Sequence, residues 1–199
     1  MKRRSTESRD AVKSGEMVVR RTTLDDWSAL RAIRLESLAD TPDAYGSTYD
    51  GTVSFPTRRW KTMASEYVYF LAERDGDVLG MVSGGFNDQY PGTHWLYGMY
   101  VTPAARGSDV ASRLVNAVIT WAIGDGASEL YLHVTMSVER ARAFYKKMGF
   151  VETGERFSME RHRILARPVM STSLSLSRNA TAQLVAQRPV QAYVGSWAC

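Results

Sequence analysis

Residues 96–107, LYGMYVTPAARG, decide how this chain is read. A strand-like run enters a Pro-containing turn that ends on Arg106 and Gly107, and a helix follows at once. That helix carries Val110, Leu114, Val118 and Ala122 at i+4 spacing on one face. A short apolar strand, ELYLHV (129–134), comes next, and then a helix closing on FYKKMGF (144–150). A strand that delivers a turn of free backbone N–H groups to a helix N-terminus makes an anion site. The unpaired amides and the helix dipole both favour negative charge there.

Working outward, MVVRRT (17–22) predicts a first strand. Thr22, Thr23, Asp25 and Asp26 supply capping residues for a helix to roughly residue 39, with Leu24, Trp27, Leu35 and Leu38 on one face. Arg31 lies in the middle of that face; it either lays its stem along apolar surface or points into the site. TPDAYGSTYDG (41–51) is rich in turn formers, and Pro56 opens a short helix holding Trp60 and Met63. YVYFLAER (67–74), the turn Asp75-Gly76-Asp77 and VLGMVSGGF (78–86) predict an antiparallel hairpin. A loop, NDQYPGT (87–93), then leads into the central strand HWLYGMYV (94–101). FVETGER (150–156) and about ILARPVMST (164–172) predict the last two strands, Pro168 placing part of the second on an edge or at a bulge. QAYVGSWA (191–198) is either an extra strand or a docked tail. The order predicts an α/β fold of the α+β kind, a twisted mixed central sheet with helices on both faces. The domain spans residues 16–173, between a polar N-terminal tail (1–15) expected to be disordered and a basic, Ser/Thr-rich C-terminal tail (174–199).

Composition sets outer limits. The 199 residues are 44% hydrophobic and 23% charged, as in ordinary globular enzymes. No apolar run approaches the roughly 20 residues of a membrane span, and MKRRSTESRDAVKSGE has no apolar core of a secretory signal. A single Cys199 suits a reducing compartment, so a cytoplasmic location is expected. The net charge of +4 is carried by a tail with Arg161, Arg163, Arg167, Arg178 and Arg188 and no acid. These arginines are spread out rather than clustered into a stripe, so nucleic acid is not the expected partner. Three scattered histidines and a terminal Cys give no metal-ligand spacing. No phosphate loop ending in Gly-Lys-Ser/Thr is present, and GMVSGG lacks the spacing of a nucleophile elbow.

The strand–turn–helix of residues 96–122 and the FY-KKM-GF frame resemble the acyl-CoA core of the GNAT superfamily, the acetyl-CoA-dependent N-acetyltransferases. The resemblance covers about residues 17–172. It implies that acetyl-CoA is the cosubstrate, without a metal, and that Arg106, Gly107, Ser108, Asp109, Val110 and Ala111 cradle its pyrophosphate. It further implies that Met99, Tyr100 and Val101 run beside the pantetheine arm and that the strands splay after this segment. An amide of Tyr100 or Val101 is then left to polarise the thioester carbonyl, typically the largest electrostatic contribution in acyl transfer. Tyr145 would protonate the leaving thiolate. By helical spacing alone, Ala141, Phe144, Tyr145 and Met148 also read as ordinary core.

Two positions depart from the family pattern. Asp109 stands where Gly is usual, and a carboxylate at the mouth of a phosphate nest repels the ligand. Its side chain either turns back onto the helix amides or points to solvent while its N–H still serves the phosphate. Val138 stands where Asn commonly bonds the pantetheine, with Ser137 as a weak substitute. Glu73 and His94 are the candidate general bases; His133 reads as a core histidine, and Trp95 and Tyr97 as either acceptor-pocket or core aromatics. The acceptor is a small-molecule amine or a protein amine. The region 34–49 resembles members acting on small amines, and Asp43, Asp50 and Asp88 are acids able to attract one. A homodimer is compatible with the chain. The rival class is a non-catalytic acyl-CoA-binding or interaction module of the same fold.

Overall fold

The computed structural model describes residues 15–135, 138–159 and 162–173. They form a seven-stranded sheet in the order β1-β2-β3-β4-β5-β7-β6. β1 (Val18–Arg21), β2 (Val68–Arg74), β3 (Asp77–Asn87) and β4 (Tyr90–Val101) are successive antiparallel neighbours. β5 (Glu129–His133) joins β4 in parallel, and β7 (His162–Ser173) lies between β5 and β6 (Val151–Met159). A parallel pair needs a crossover, which α4 (Val110–Gly124) supplies. The remaining helices are α1 (Trp27–Asp40), α2 (Tyr49–Val53), α3 (Thr57–Glu66) and α5 (Glu139–Lys147).

Strand alternation splits the interior into two cores. Ala72, Val82 and Leu96 face α4, where Val110, Leu114, Val118 and Ala122 are all buried with Leu130, Leu132, Tyr145 and Phe150. Their neighbours Leu71, Met81 and Tyr100 face the other way, against Leu30 and Ile33 of α1 and Trp60 and Met63 of α3. Helices therefore cover both faces of a mixed sheet, as the pattern predicts. Two glycines of β3 let α4 approach. A Cβ at Gly84 would meet the Trp121 ring at 2.5 Å, and one at Gly80 would lie 3.0 Å from Leu114 Cδ1 and 3.2 Å from Val110 Cγ1.

The edge strand β1 is held by charge. Arg20 reaches Asp26 at 2.7 Å and Glu73 at 2.8 Å, and Asp26 also accepts the Thr23 N–H at 2.7 Å, fastening β1 to β2 and to the entry of α1. The Arg20 hydrogen bond holds the Asp26 carboxyl well below its usual range. A depressed carboxyl stabilises the fold above its unfolded pKa of about 4, and that contribution is lost as pH falls toward the folded value. Asp26→Asn should therefore cost about 1–2 kcal/mol at neutral pH, the pair being partly solvated. Urea unfolding should show the gap from wild type closing as pH falls below about 4. A gap that persists in acid would mean that packing, not charge, was lost.

Some expectations need correction. Leu24 is 50% exposed, because residues 24–26 form a 3-10 turn that breaks the phase of the following helix. The buried face of α1 is instead Leu30, Ile33, Arg34, Leu35, Ser37 and Leu38. The expected loop 87–93 shrinks to a turn at Asp88 and Gln89. Asn87 Oδ1 accepts the Gln89 N–H at 2.9 Å, and a register shift after Phe86 absorbs Pro91 and Gly92 within β4. Pro168 sits one residue beyond the β5–β7 ladder, which ends at His133 and Val169, and beside a register shift with β6. The hairpin turn is as expected, Asp75 and Gly76 both having positive φ. Gly15, placed by sequence in the tail, donates to Asp75 Oδ1 at 2.9 Å. The expectations for residues 1–14, Ser137 and 174–199 lie outside the described residues.

Candidate active site

β4 and β5 run together for only a short distance. Their ladder pairs His94 with Leu130, Trp95 with Tyr131 and Leu96 with Leu132, and ends there. The divergence thus precedes Met99 rather than following Val101, a correction to the expected position. Its local cause is a bulge. Met81 pairs with Tyr100 and Ser83 with Tyr97, so Gly98 and Met99 oppose Val82 alone, and Gly98 takes φ +58 to make the turn. The Thr102 N–H donates to Leu79 O at 3.0 Å, toward β3. By alternation Tyr100 also faces β3, while the Met99 C=O and the N–H and C=O of Val101 turn toward the gap. Both carbonyls are engaged by side chains: Tyr45 Oη donates to Met99 O at 2.9 Å, and Arg106 Nε to Val101 O at 3.2 Å.

The turn after β4 delivers the chain to α4. Pro103–Ala105 is a 3-10 turn, Gly107 follows at φ +85, and Asp109 is the residue before the first helical turn. Arg106 does not reach toward that turn; its guanidinium pairs with Asp40 of α1 and lies 5.8 Å from the Tyr100 ring centroid. Asp109 makes no side-chain cap. Its Oδ2 accepts from Arg113 Nε at 2.8 Å, while Arg113 Nη1 also donates to Met17 O at 3.3 Å. The first-turn amides of α4 are therefore not consumed by the Asp109 carboxylate. The Ser108 hydroxyl donates to Ala105 O at 2.6 Å and accepts weakly from the Val110 N–H at 3.4 Å.

Tyr145, on α5, is 6% exposed and packs edge-on to Phe144 and Phe150. Burial pushes its phenol well above the usual value, with the Tyr45 phenol near enough to add to the effect. Tyr45 thus touches the β4 edge through Met99 O. Val138 is the N-cap residue of α5 and is 38% exposed.

Sequence reasoning missed Arg34. Arg31, which it weighed instead, is half-buried and touches the Val53 carbonyl at 3.5 Å. Arg34 is 6% exposed, its guanidinium 4.6 Å from the Tyr45 ring centroid and 3.3 Å from Ser47 Oγ. The available signal was its spacing: Leu30, Arg34 and Leu38 follow one another at i+4 on the apolar stripe.

The candidate bases lie elsewhere. Glu73 is bound to Arg20 on the β1 side of the sheet. His94 starts the paired part of β4, packs on Phe86 and Trp121, and meets Asp125 at 2.7 Å. Trp95, Tyr97, Tyr131 and His133 stack into an aromatic group on one face; the Trp95 ring lies 5.4 Å from Tyr131 and 4.7 Å from His133. Tyr97 also donates to Phe86 O at 3.2 Å. Of the acids weighed for amine attraction, Asp50 lies in the first turn of α2, Asp43 in the 3-10 turn before it, and Asp88 in the β3–β4 turn. Among the described residues no group of three or more His, Cys, Asp or Glu side chains is placed to hold a metal. None of the helices there is long and apolar enough to cross a membrane.

The acetyltransferase (GNAT) family matches residues 30–150. Solved structures share the fold at low identity. An N-acetyltransferase from Staphylococcus aureus Mu50 is 22% identical, covering 81% of this chain and 100% of its own, with a TM-score of 0.64. A Salmonella typhimurium protein described as an acetyltransferase and solved with its cofactor acetyl-CoA is 20% identical, covering 82% and 96%, with a TM-score of 0.66. A ribosomal-protein-alanine N-acetyltransferase from Brucella melitensis is 23% identical, covering 79% and 99%, with a TM-score of 0.65.

Proposed function

This chain belongs to the acetyltransferase (GNAT) family, and from that premise we propose that it transfers the acetyl group of acetyl-CoA to a primary amine by direct attack in a ternary complex. Residues 16–173 carry the activity in this reading. The observation behind it is the β4 edge that loses its strand partner beyond Leu96 and runs directly into the Gly107 turn and α4. The turn and first helical residues 107–111 take the pyrophosphate, and the Met99–Val101 edge takes the pantetheine. Alternation favours Val101 over Tyr100 as the amide that polarises the thioester carbonyl. The amine lone pair forms the new N–C bond, the C–S bond breaks, and the departing thiolate takes the Tyr145 proton. Glu73 and His94 are engaged away from the gap, so the ammonium proton leaves to solvent.

Thermal unfolding with and without acetyl-CoA tests the binding half. A ligand at about 100 times its Kd adds about 2.7 kcal/mol, so a clear rise in Tm is expected, and no rise overturns the reading. The Asp109–Arg113 pair makes a sharper forecast. Asp109→Gly removes a carboxylate beside the pyrophosphate and leaves Arg113 held by Met17 O. Acetyl-CoA should bind about 3–10-fold tighter at low salt, the gain shrinking at high salt as screening removes it. Equal or weaker binding at every salt concentration would show that the carboxylate does not oppose the ligand.

A second reading, a non-catalytic acyl-CoA-binding module, is favoured by Asp109 at the helix entry and by the absence of Glu73 and His94 from the gap. It predicts the Tm rise without amine-dependent release of thiol.

A further inference from the structure

Arg34 presents a buried cation with an open valence. It is 6% exposed and has no carboxylate partner among the described residues, and its Nη1 has no hydrogen-bond partner there. Burying a charge without a counter-charge is among the costlier choices a fold makes, and a guanidinium that retains one free edge is shaped for a planar anion. The free edge faces the bulge. Nη1 is itself buried, and a Cβ at position 98 would stand 3.9 Å from it, so the backbone of the bulge is its nearest neighbour on that side.

Arg34 projects from α1, on the face of the sheet that packs Met81 and Tyr100 against α1 and α3. The N-terminus of α4, assigned above to the pyrophosphate, belongs to the opposite face. The two anion sites are therefore separate, and Arg34 is not placed for the cofactor phosphates. Ser47 Oγ at 3.3 Å adds a hydroxyl beside the guanidinium, and Tyr45 links this corner to the open edge through Met99 O.

We infer that Arg34 anchors a carboxylate carried by the acceptor, which makes an amino acid, rather than a simple alkylamine, the substrate class of this site. This rests on the transferase reading for the amine's fate, but the carboxylate site itself is testable without turnover. Once the carboxylate is held at Arg34, the amino group of the same molecule is restricted to the neighbourhood of the β4 bulge, where the thioester would lie.

The test uses wild type, Arg34→Met and Arg34→Lys, each saturated with CoA. The binding probes are N-acetylglycine, N-acetyl-L-methionine and N-acetyl-L-phenylalanine, each against a neutral amide lacking the carboxylate. Wild type should gain Tm with at least one carboxylate probe and not with its neutral counterpart. Arg34→Met should lose that difference. Arg34→Lys, which keeps the charge without the fork, should retain part of it and guards against a folding defect in Arg34→Met. In turnover, free amino acids should exceed their decarboxylated amines in kcat/KM by at least about 30-fold, the low end of what one partner of a buried charge pair is worth, and Arg34→Met should erase the preference. Equal Tm gains from carboxylate and neutral probes in wild type would overturn the assignment, as would a carboxylate preference that survives in Arg34→Met. Carboxylate-selective binding without turnover of any amine would support Arg34 and overturn the transferase reading instead.

Discussion

Tyr145→Phe is expected to lower kcat about 10²–10⁴-fold, the usual worth of a positioned general acid, while acetyl-CoA affinity and Tm stay near wild type. The substitution deletes one oxygen and keeps the ring that packs against Phe144 and Phe150. Burial raises the phenol's pKa, so it stays protonated through neutral pH and gives the proton up only when a thiolate forms beside it. Two readouts separate this role from packing. kcat should fall far more than KM for acetyl-CoA rises, and wild-type activity should show no loss assignable to Tyr145 ionisation below about pH 10. Wild-type turnover in the variant would mean that Tyr145 is a core aromatic and that another group protonates CoA.

Gly107→Val should weaken acetyl-CoA binding about 10–100-fold. Gly107 sits at φ +85, which a β-branched residue adopts only at a cost of about 1–3 kcal/mol. No atom lies within 4 Å of where its Cβ would go, so the penalty is conformational rather than crowding. The chain relieves it by rotating the turn, which moves the amides entering α4 away from a common focus. Gly107→Asn is the control, because Asn tolerates the left-handed region and should keep most of the affinity. Both affinities can be read by calorimetric titration. Wild-type binding by the Val variant would remove this turn from the cofactor site.

Much of this architecture could be read from residue patterns. Val110, Leu114, Val118 and Ala122 announced α4 because a helix packed on a sheet must bury one stripe, and all four are buried. Asp75-Gly76 announced the hairpin because both residues tolerate positive φ. The site was less accessible because it depends on interruptions rather than patterns. The β4 divergence arises from one extra residue at Gly98 and Met99, and a lone Gly in a strand does not declare whether it makes a bulge or a close contact. Arg34 shares the i+4 stripe of Leu30 and Leu38, but spacing alone does not give a buried arginine a role. The packing of Tyr45 and the position of Gly98 add what the spacing lacks. The ion pair of Glu73 with Arg20 and the hydrogen-bonded contact of His94 with Asp125 join residues remote in sequence, which no local pattern encodes.

The most direct test of acetyl transfer is to incubate the purified full chain with acetyl-CoA and a panel of amino acids and simple amines, measuring free CoA thiol and N-acetylated product together. The account predicts thiol release that depends on the amine, matched mole for mole by N-acetylated product. Acetyl-CoA binding with no amine-dependent thiol or product across the panel would contradict it and leave the binding-module reading in its place.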